Sequence, residues 1–446
     1  MFLFIILLWL IGESRDVAEE RLILTPYIES GNIQEARALA QVRGGPFFED
    51  IPSYSGYFTV NKTYNSNLFF WFFPAETDFL NAPVLLWLNG GPGYSSLFGL
   101  FEEIGPFRVS EDSTTLLRNP YSWHKNHSIL FIDNPVGTGF SFTDFNEGYA
   151  TEQTQIGAEL YIALLQFLKI FPELQNAPLY LSGESYAGKY IPSLASTIHQ
   201  RNPTADLKLN LQGIAIGNGF TDPLTMVTYS PLFYQLGLID TKTYHEMQGL
   251  EEKSRQLIRE EKYREATWMV NNELNLLYQL TGFSNINNFL YPTKSQVGWR
   301  YTQFLNSQVV RKAIHVGDAS FMQMNYEVVK FLEFDLMASV RPVLEDILEH
   351  YRVLYYSGGM DLLVPYSSSV CMFNKLEFSA AEEYRNAKRV PWYVDGELAG
   401  YIKSAGKFTE VLVRNAGHTV PTDQPKWALD LINRFTNGTL GVHKKK

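Results

Sequence analysis

Short, unbroken apolar runs punctuate the chain at 84–88, 129–132, 179–181, 213–216, 353–356 and 411–413, each followed by a turn containing Gly or Asp. Runs of this length with no polar alternation predict strands buried on both faces. Between them apolar residues recur at helical spacing. The clearest case is 152–171, where Ile156, Leu160, Leu164, Phe167 and Leu168 share one face before Pro172 stops the helix. Alternating strands and helices predict a mostly parallel sheet covered on both sides. The rhythm breaks over 222–300, where charged helical sequence (241–261, 262–280) replaces strands, so an inserted helical cap is expected between a first core part, 15–221, and a second, 301–446. The alternation is expected to resume at 301–315 and to close with a helix over 426–435.

Composition narrows the picture. A chain of 446 residues, 45% apolar and 15% aromatic, has enough hydrophobic sequence for one large core with an insertion. A net charge of −10 gives no basic footprint, so no nucleic-acid partner is expected. Residues 2–12 form an apolar run followed at once by Glu13, Ser14, Arg15 and Asp16, which predicts a signal peptide over 1–14. That run is well short of the ~20 residues needed to cross a bilayer, so no membrane span is expected. Sequons at Asn61, Asn126 and Asn437 are glycosylation candidates and fit the secretory pathway, with a lysosomal or secreted destination. The single cysteine, Cys371, rules out an intrachain disulfide, which is unusual for such a chain. Its neighbours Val370, Met372 and Phe373 predict a buried, inert thiol.

The chemistry is carried by three turns. Ser185 sits between the small residues Gly183 and Ala187, directly after the apolar run 179–181 and before a helical stretch, 186–199. That is the setting of a nucleophile on a tight strand-to-helix turn. A serine hydroxyl needs a base to take its proton and an acid to orient the base. Of the eight histidines, His418 is the one in a Gly-His turn just after an apolar strand, and Asp361 lies in the Gly-rich turn past 353–356. Alone, Ser185 reads as a loop serine and Asp361 as a turn former; together, after successive strands and in the order Ser, Asp, His, they read as a catalytic set. The loop around Gly91, with the backbone N–H of Tyr186, supplies candidate donors for an oxyanion. Nothing in the motifs calls for a metal or organic cofactor: there is no H-E-x-x-H and no paired cysteine.

The segments WLNGGPGYSS (87–96), FGLFEEIGP (98–106), DNPVGTGFSF (133–142), GESYAGKY (183–190), GIAIGNGFTD (213–222) and GHTVPTDQP (417–425) together resemble the serine carboxypeptidase family. Segments 59–75 and 314–318 look most like its vitellogenic-like branch. The resemblance implies an α/β-hydrolase fold, peptide substrates with a free C-terminus, and a monomer or homodimer. It also implies that Trp87, Asn89, Gly90, Glu103 and Glu184 bind the substrate α-carboxylate. Carboxyl groups crowded against an anion must share protons, so activity favoured at acidic pH is expected. The chain departs from the family at Tyr94, where a Cys or small residue is usual, and at Thr419, where relatives often carry a larger residue lining the leaving-group pocket. Two other readings stay open: acyl transfer to alcohols or esterase action on the same scaffold, and a binding role without catalysis.

Overall fold

The computed structural model describes residues 20–43, 48, 50–293 and 299–441; the signal-peptide expectation over 1–14 lies outside them. Twelve strands are described: β1 Tyr54–Asn61, β2 Ser66–Phe73, β3 Val84–Leu88, β4 Phe107–Val109, β5 Leu116–Arg118, β6 Ser128–Ile132, β7 Leu179–Glu184, β8 Leu211–Gly217, β9 Arg352–Gly358, β10 Val390–Val394, β11 Glu397–Ala405 and β12 Phe408–Val413. β4 and β5 form a separate small hairpin, and the other ten make one sheet in the order β1-β2-β6-β3-β7-β8-β9-β12-β11-β10. From β6 through β12 every pairing is parallel, while β1, β2, β11 and β10 add antiparallel margins. The parallel centre contains all six apolar runs, and its strands are buried on both faces as those runs require.

Side chains alternate across each strand, and that alternation divides the interior in two. Leu86, Leu88, Leu181, Ile214 and Ile216 face one cluster, shared with the helices Gln153–Ile170 and Ala187–Arg201. Leu85, Trp87, Tyr180, Ala215 and Leu354 face the other, closed by the helix Pro425–Thr436. A third cluster lies in the helical stretch after β8. There the helices Thr241–Arg259 and Tyr263–Thr281 pack through Met247, Leu257, Val270 and Leu277.

Two expectations change. Residues 301–315 do not restart the strand rhythm: they form the helices Trp299–Leu305 and Gln308–Ala313, and the next strand is β9. Tyr301, Phe304, Leu305, Val310 and Ala313 lie at helical spacing and join the second cluster, which accounts for the difference. The outer strands β10 and β11 were not legible as apolar runs, because exposed and half-buried positions interrupt them. A hairpin signal was nonetheless present in Asp395-Gly396, whose φ angles of 49° and 84° suit a two-residue turn between β10 and β11. Cys371 is exposed, not buried: on the helix Tyr366–Phe373 the inward positions are Ser368, Ser369, Met372 and Phe373. Of the sequon asparagines, Asn126 and Asn437 are exposed and Asn61 is half-buried.

Candidate active site

β7 ends at Glu184, and Ser185 follows with φ +62° before the chain enters the helix Ala187–Arg201. A left-handed backbone costs a non-glycine residue roughly 1–2 kcal/mol, so the turn must be braced. The Ser185 N–H donates to the Gly217 carbonyl at 3.0 Å, and the Ser185 carbonyl accepts from the N–H groups of Gly188 and Phe220, both at 2.9 Å. Small neighbours are compulsory here. A Cβ on Gly183 would lie 2.3 Å from the Leu88 carbonyl oxygen and 2.8 Å from the Ala187 Cβ.

The turns after β9 and β12 bring Asp361 and His418 together, both buried. His418 Nδ1 lies 2.7 Å from Asp361 Oδ2. The same oxygen accepts from Asn218 Nδ2 at 2.7 Å, while Oδ1 accepts from the N–H groups of Leu363 at 2.8 Å and Val364 at 3.1 Å. The carboxyl is therefore fixed on both oxygens. Burial works against the imidazolium of His418, but the charge and hydrogen bond of Asp361 outweigh it, with Glu103 adding to the effect, so the ring titrates above its ordinary value. Asn218 belongs to this site although no chemical role was read for it from the sequence. The available signal was an asparagine in a Gly-Asn-Gly turn directly after an apolar strand, and its φ of 42° marks that turn. Its Oδ1 also accepts from the Gly358 N–H at 3.1 Å, tying the β8 and β9 turns together.

On the other side of Ser185, β3 delivers the loop 89–94. A Cβ on Gly90 would lie 2.4 Å from the Tyr186 nitrogen and 2.9 Å from the Ser185 Cβ, so only glycine permits this approach. Gly91 has φ +107°, again glycine territory. Asn89 organises the neighbourhood: Oδ1 accepts from Trp87 Nε1 at 2.9 Å and the Gly99 N–H at 3.0 Å. Its Nδ2 donates to Glu103 Oε1 at 3.0 Å and Glu184 Oε1 at 3.1 Å. With two donors on one side and two carboxyls on the other, the amide has one satisfactory orientation. Burial pushes Glu103 up to about 7. Burial also raises Glu184, and the adjacent Glu103 raises it further.

A cavity of about 380 Å³ opens over these groups and is lined by Asn89, Gly90, Gly91, Glu184, Ser185 and His418, with Tyr94, Phe98 and Thr419 at its sides. Trp87, Glu103, Asp361 and the phenol of Tyr186 lie behind this lining. Part of the roof comes from residues 284–293, which sequence reasoning placed in the cap without assigning them to the site. This strap is stitched to the chemistry by backbone. The Asn287 carbonyl accepts from the His418 N–H at 2.6 Å, the Ile286 carbonyl from Leu362 N–H at 3.0 Å, and Met360 accepts from Phe289 N–H at 3.0 Å.

Comparison with known proteins is consistent along nearly the whole chain. Residues 45–438 match the family profile described as serine carboxypeptidase. The chain is 47% identical to a venom serine carboxypeptidase of Apis mellifera over 93% of this chain and 91% of that one. It is 44% identical to the probable serine carboxypeptidase CPVL of Homo sapiens (94% and 90% covered) and 42% identical to a vitellogenic carboxypeptidase of Aedes aegypti (94% and 90% covered). In fold it is similar to a prohormone-processing carboxypeptidase from Saccharomyces cerevisiae, with a TM-score of 0.81 at 24% identity, covering 90% of this chain and 96% of that one.

Proposed function

The chain belongs to the serine carboxypeptidase family, and from that premise we propose that it removes C-terminal residues from peptides through Ser185, His418 and Asp361. The observation that carries this reading is the 2.7 Å contact of His418 Nδ1 with Asp361, with His418 and Ser185 lining one cavity. With Nδ1 engaged, Nε2 is left to take the Ser185 proton. Ser185 Oγ then attacks the last peptide carbonyl, and the oxyanion is received by the N–H groups of Gly91 and Tyr186. Collapse of that intermediate breaks the C–N bond as His418 gives its proton to the departing amine. Water, deprotonated by His418, cleaves the ester and restores the serine.

Preference for a chain end follows from Asn89, Glu103 and Glu184, with Trp87 and Gly90 supporting the loop that presents them. Two carboxyls raised by burial hold protons near neutrality, and a carboxyl keeping its proton can donate to the substrate α-carboxylate. Binding is then favoured on the acidic side of about pH 7, the value near which Glu103 loses its proton. His418 must be neutral to act as base, which sets the acid limb of the profile.

The sequence features around this core fit a secretory-pathway enzyme, lysosomal or secreted, acting as a monomer or homodimer. The run 2–12 serves as a signal segment, Asn126 and Asn437 are the accessible glycan sites, and 222–300 forms the cap. Among the described residues no helix is long and apolar enough to cross a membrane.

The test is digestion of a mixed peptide library just on the acid side of neutrality, followed by mass, together with labelling by a fluorophosphonate. Stepwise loss from the C-terminus, abolished with labelling in Ser185→Ala, is expected. Labelling of the variant equal to the parent would remove Ser185 from the mechanism.

A further inference from the structure

Behind the nucleophile turn, on the side away from the cavity, lies a polar cluster that the mechanism above does not use. Asp335, in the turn that follows the helix Tyr326–Phe331, is buried beneath the start of the helix Ala187–Arg201. Its Oδ2 accepts a short hydrogen bond from the Tyr186 phenol and another from Gln153 Nε2 at 2.7 Å. Lys189, with no side-chain exposure, sits 3.6 Å from the same oxygen. It also donates to the carbonyls of Asp335 and, at 2.9 Å, Leu336. The surroundings are apolar: Tyr186, Ala187, Tyr190 and Ile191 belong to the core cluster on this face of the sheet.

Burying a lysine and an aspartate together gains little stability over a well-packed apolar filling, because desolvation offsets the attraction. What such a cluster does supply is direction: every partner is held at a fixed angle from a fixed atom. The residue gripped most tightly is Tyr186, whose backbone nitrogen faces Gly90 across the cavity rim. Its phenol is tied to Asp335, and Lys189, one turn further along the same helix, is tied to the backbone of the same turn. The peptide plane joining Ser185 to Tyr186 is thus anchored from behind, next to a residue whose own backbone is left-handed.

We infer that Asp335, held by Lys189 and Gln153, is a positioning residue for the oxyanion site, fixing through the Tyr186 phenol the direction of the Tyr186 N–H. The inference rests on the assignment of that N–H as an oxyanion donor. Removing such a donor outright costs roughly 10²–10³ in turnover, so loosening it is expected to cost a fraction of that, roughly tenfold.

The experiment compares the full-length parent with Asp335→Asn and Tyr186→Phe. Active sites are titrated with a fluorophosphonate, and turnover per titrated site is measured on a peptide with a free C-terminus and on an ester. Each variant is expected to lose roughly tenfold in kcat on both substrates, with KM within about twofold, since the ground-state carboxylate contacts are untouched. The double variant is expected to lose no more than the worse single one, because both break the same link. A merely stabilising cluster predicts fewer titratable sites and a lower Tm with kcat per site unchanged, and that result overturns the inference. Losses that multiply in the double variant also overturn it. Should Asp335→Asn not fold, Tyr186→Phe, which removes one oxygen, decides alone on the same criterion. A parent that does not label at all defeats the assignment of Ser185 itself and this inference with it; a labelled parent with unaltered variants defeats the inference alone.

Discussion

Gly90 shows how little room the chemistry leaves around a single residue. The methyl of Gly90→Ala would sit 2.4 Å from the nitrogen expected to donate to the oxyanion. That substitution should lower kcat by at least about 10²-fold while circular dichroism stays that of the parent, because the clash is confined to the rim. Glu103 and Glu184 make a prediction of opposite character, one of pH. Burial raises both, so the pair is protonated at acid pH, and Glu103 releases its proton as pH passes about 7. KM for a peptide with a free C-terminus should therefore climb above about pH 7, whereas KM for the same peptide amidated at its C-terminus should stay flat. Parallel curves for the two would remove the carboxyl pair from recognition. Apart from the family resemblance, the pH effect is not legible in Glu103, which stands in a helical Phe-Glu-Glu stretch and joins the site through the approach of Asn89 from β3.

Elements carry the site because each turn of the proposed triad hangs from the C-terminal end of a parallel strand, β7 for Ser185, β9 for Asp361 and β12 for His418. These were the elements most legible in the sequence, since strands buried on both faces must be apolar throughout. The strap 284–293 was not legible as part of the site, because its link to His418 runs through the Asn287 carbonyl, a group every residue possesses. The helices before it are fixed to the start of the same helical stretch partly by Glu251, whose Oε1 accepts from the N–H groups of Tyr229 and Ser230, both at 2.7 Å. Glu251→Ala would leave both donors buried without that acceptor, at a cost of about 1–3 kcal/mol apiece before relaxation. A clear fall in Tm is expected, with kcat per active site less affected than stability. An unchanged Tm would show that this helical stretch is not secured there.

Across the whole molecule, buried carboxyls set the pH at which the fold is most stable. Burial raises Glu103 to about 7, Asp133 to about 6, Glu159 to about 7 and Glu273 to about 9, the last also raised by Glu251. A group raised on folding contributes stability that is complete below its unfolded pKa and disappears as pH rises through the folded one. His124 and His127, lowered to about 4 by burial, act in the other direction, losing their contribution as pH falls from about 6.5 towards 4. Tm should accordingly peak on the acid side of neutrality and decline between about pH 6.5 and 9, and Glu273→Gln should flatten that decline. A Tm that rises over this interval would contradict the sign of these shifts. The sequence by itself determined the parallel core, the order Ser185, Asp361, His418 and the glycines of the turns, because periodicity and backbone freedom are local properties of the chain. Only the tertiary structure decided that Asn218 braces Asp361, that residues 301–315 lie on the sheet as helices, that Cys371 faces outward and that Asp335 reaches Tyr186. Those outcomes depend on which surfaces meet, and contact between segments more than a hundred residues apart leaves no periodic trace in either of them.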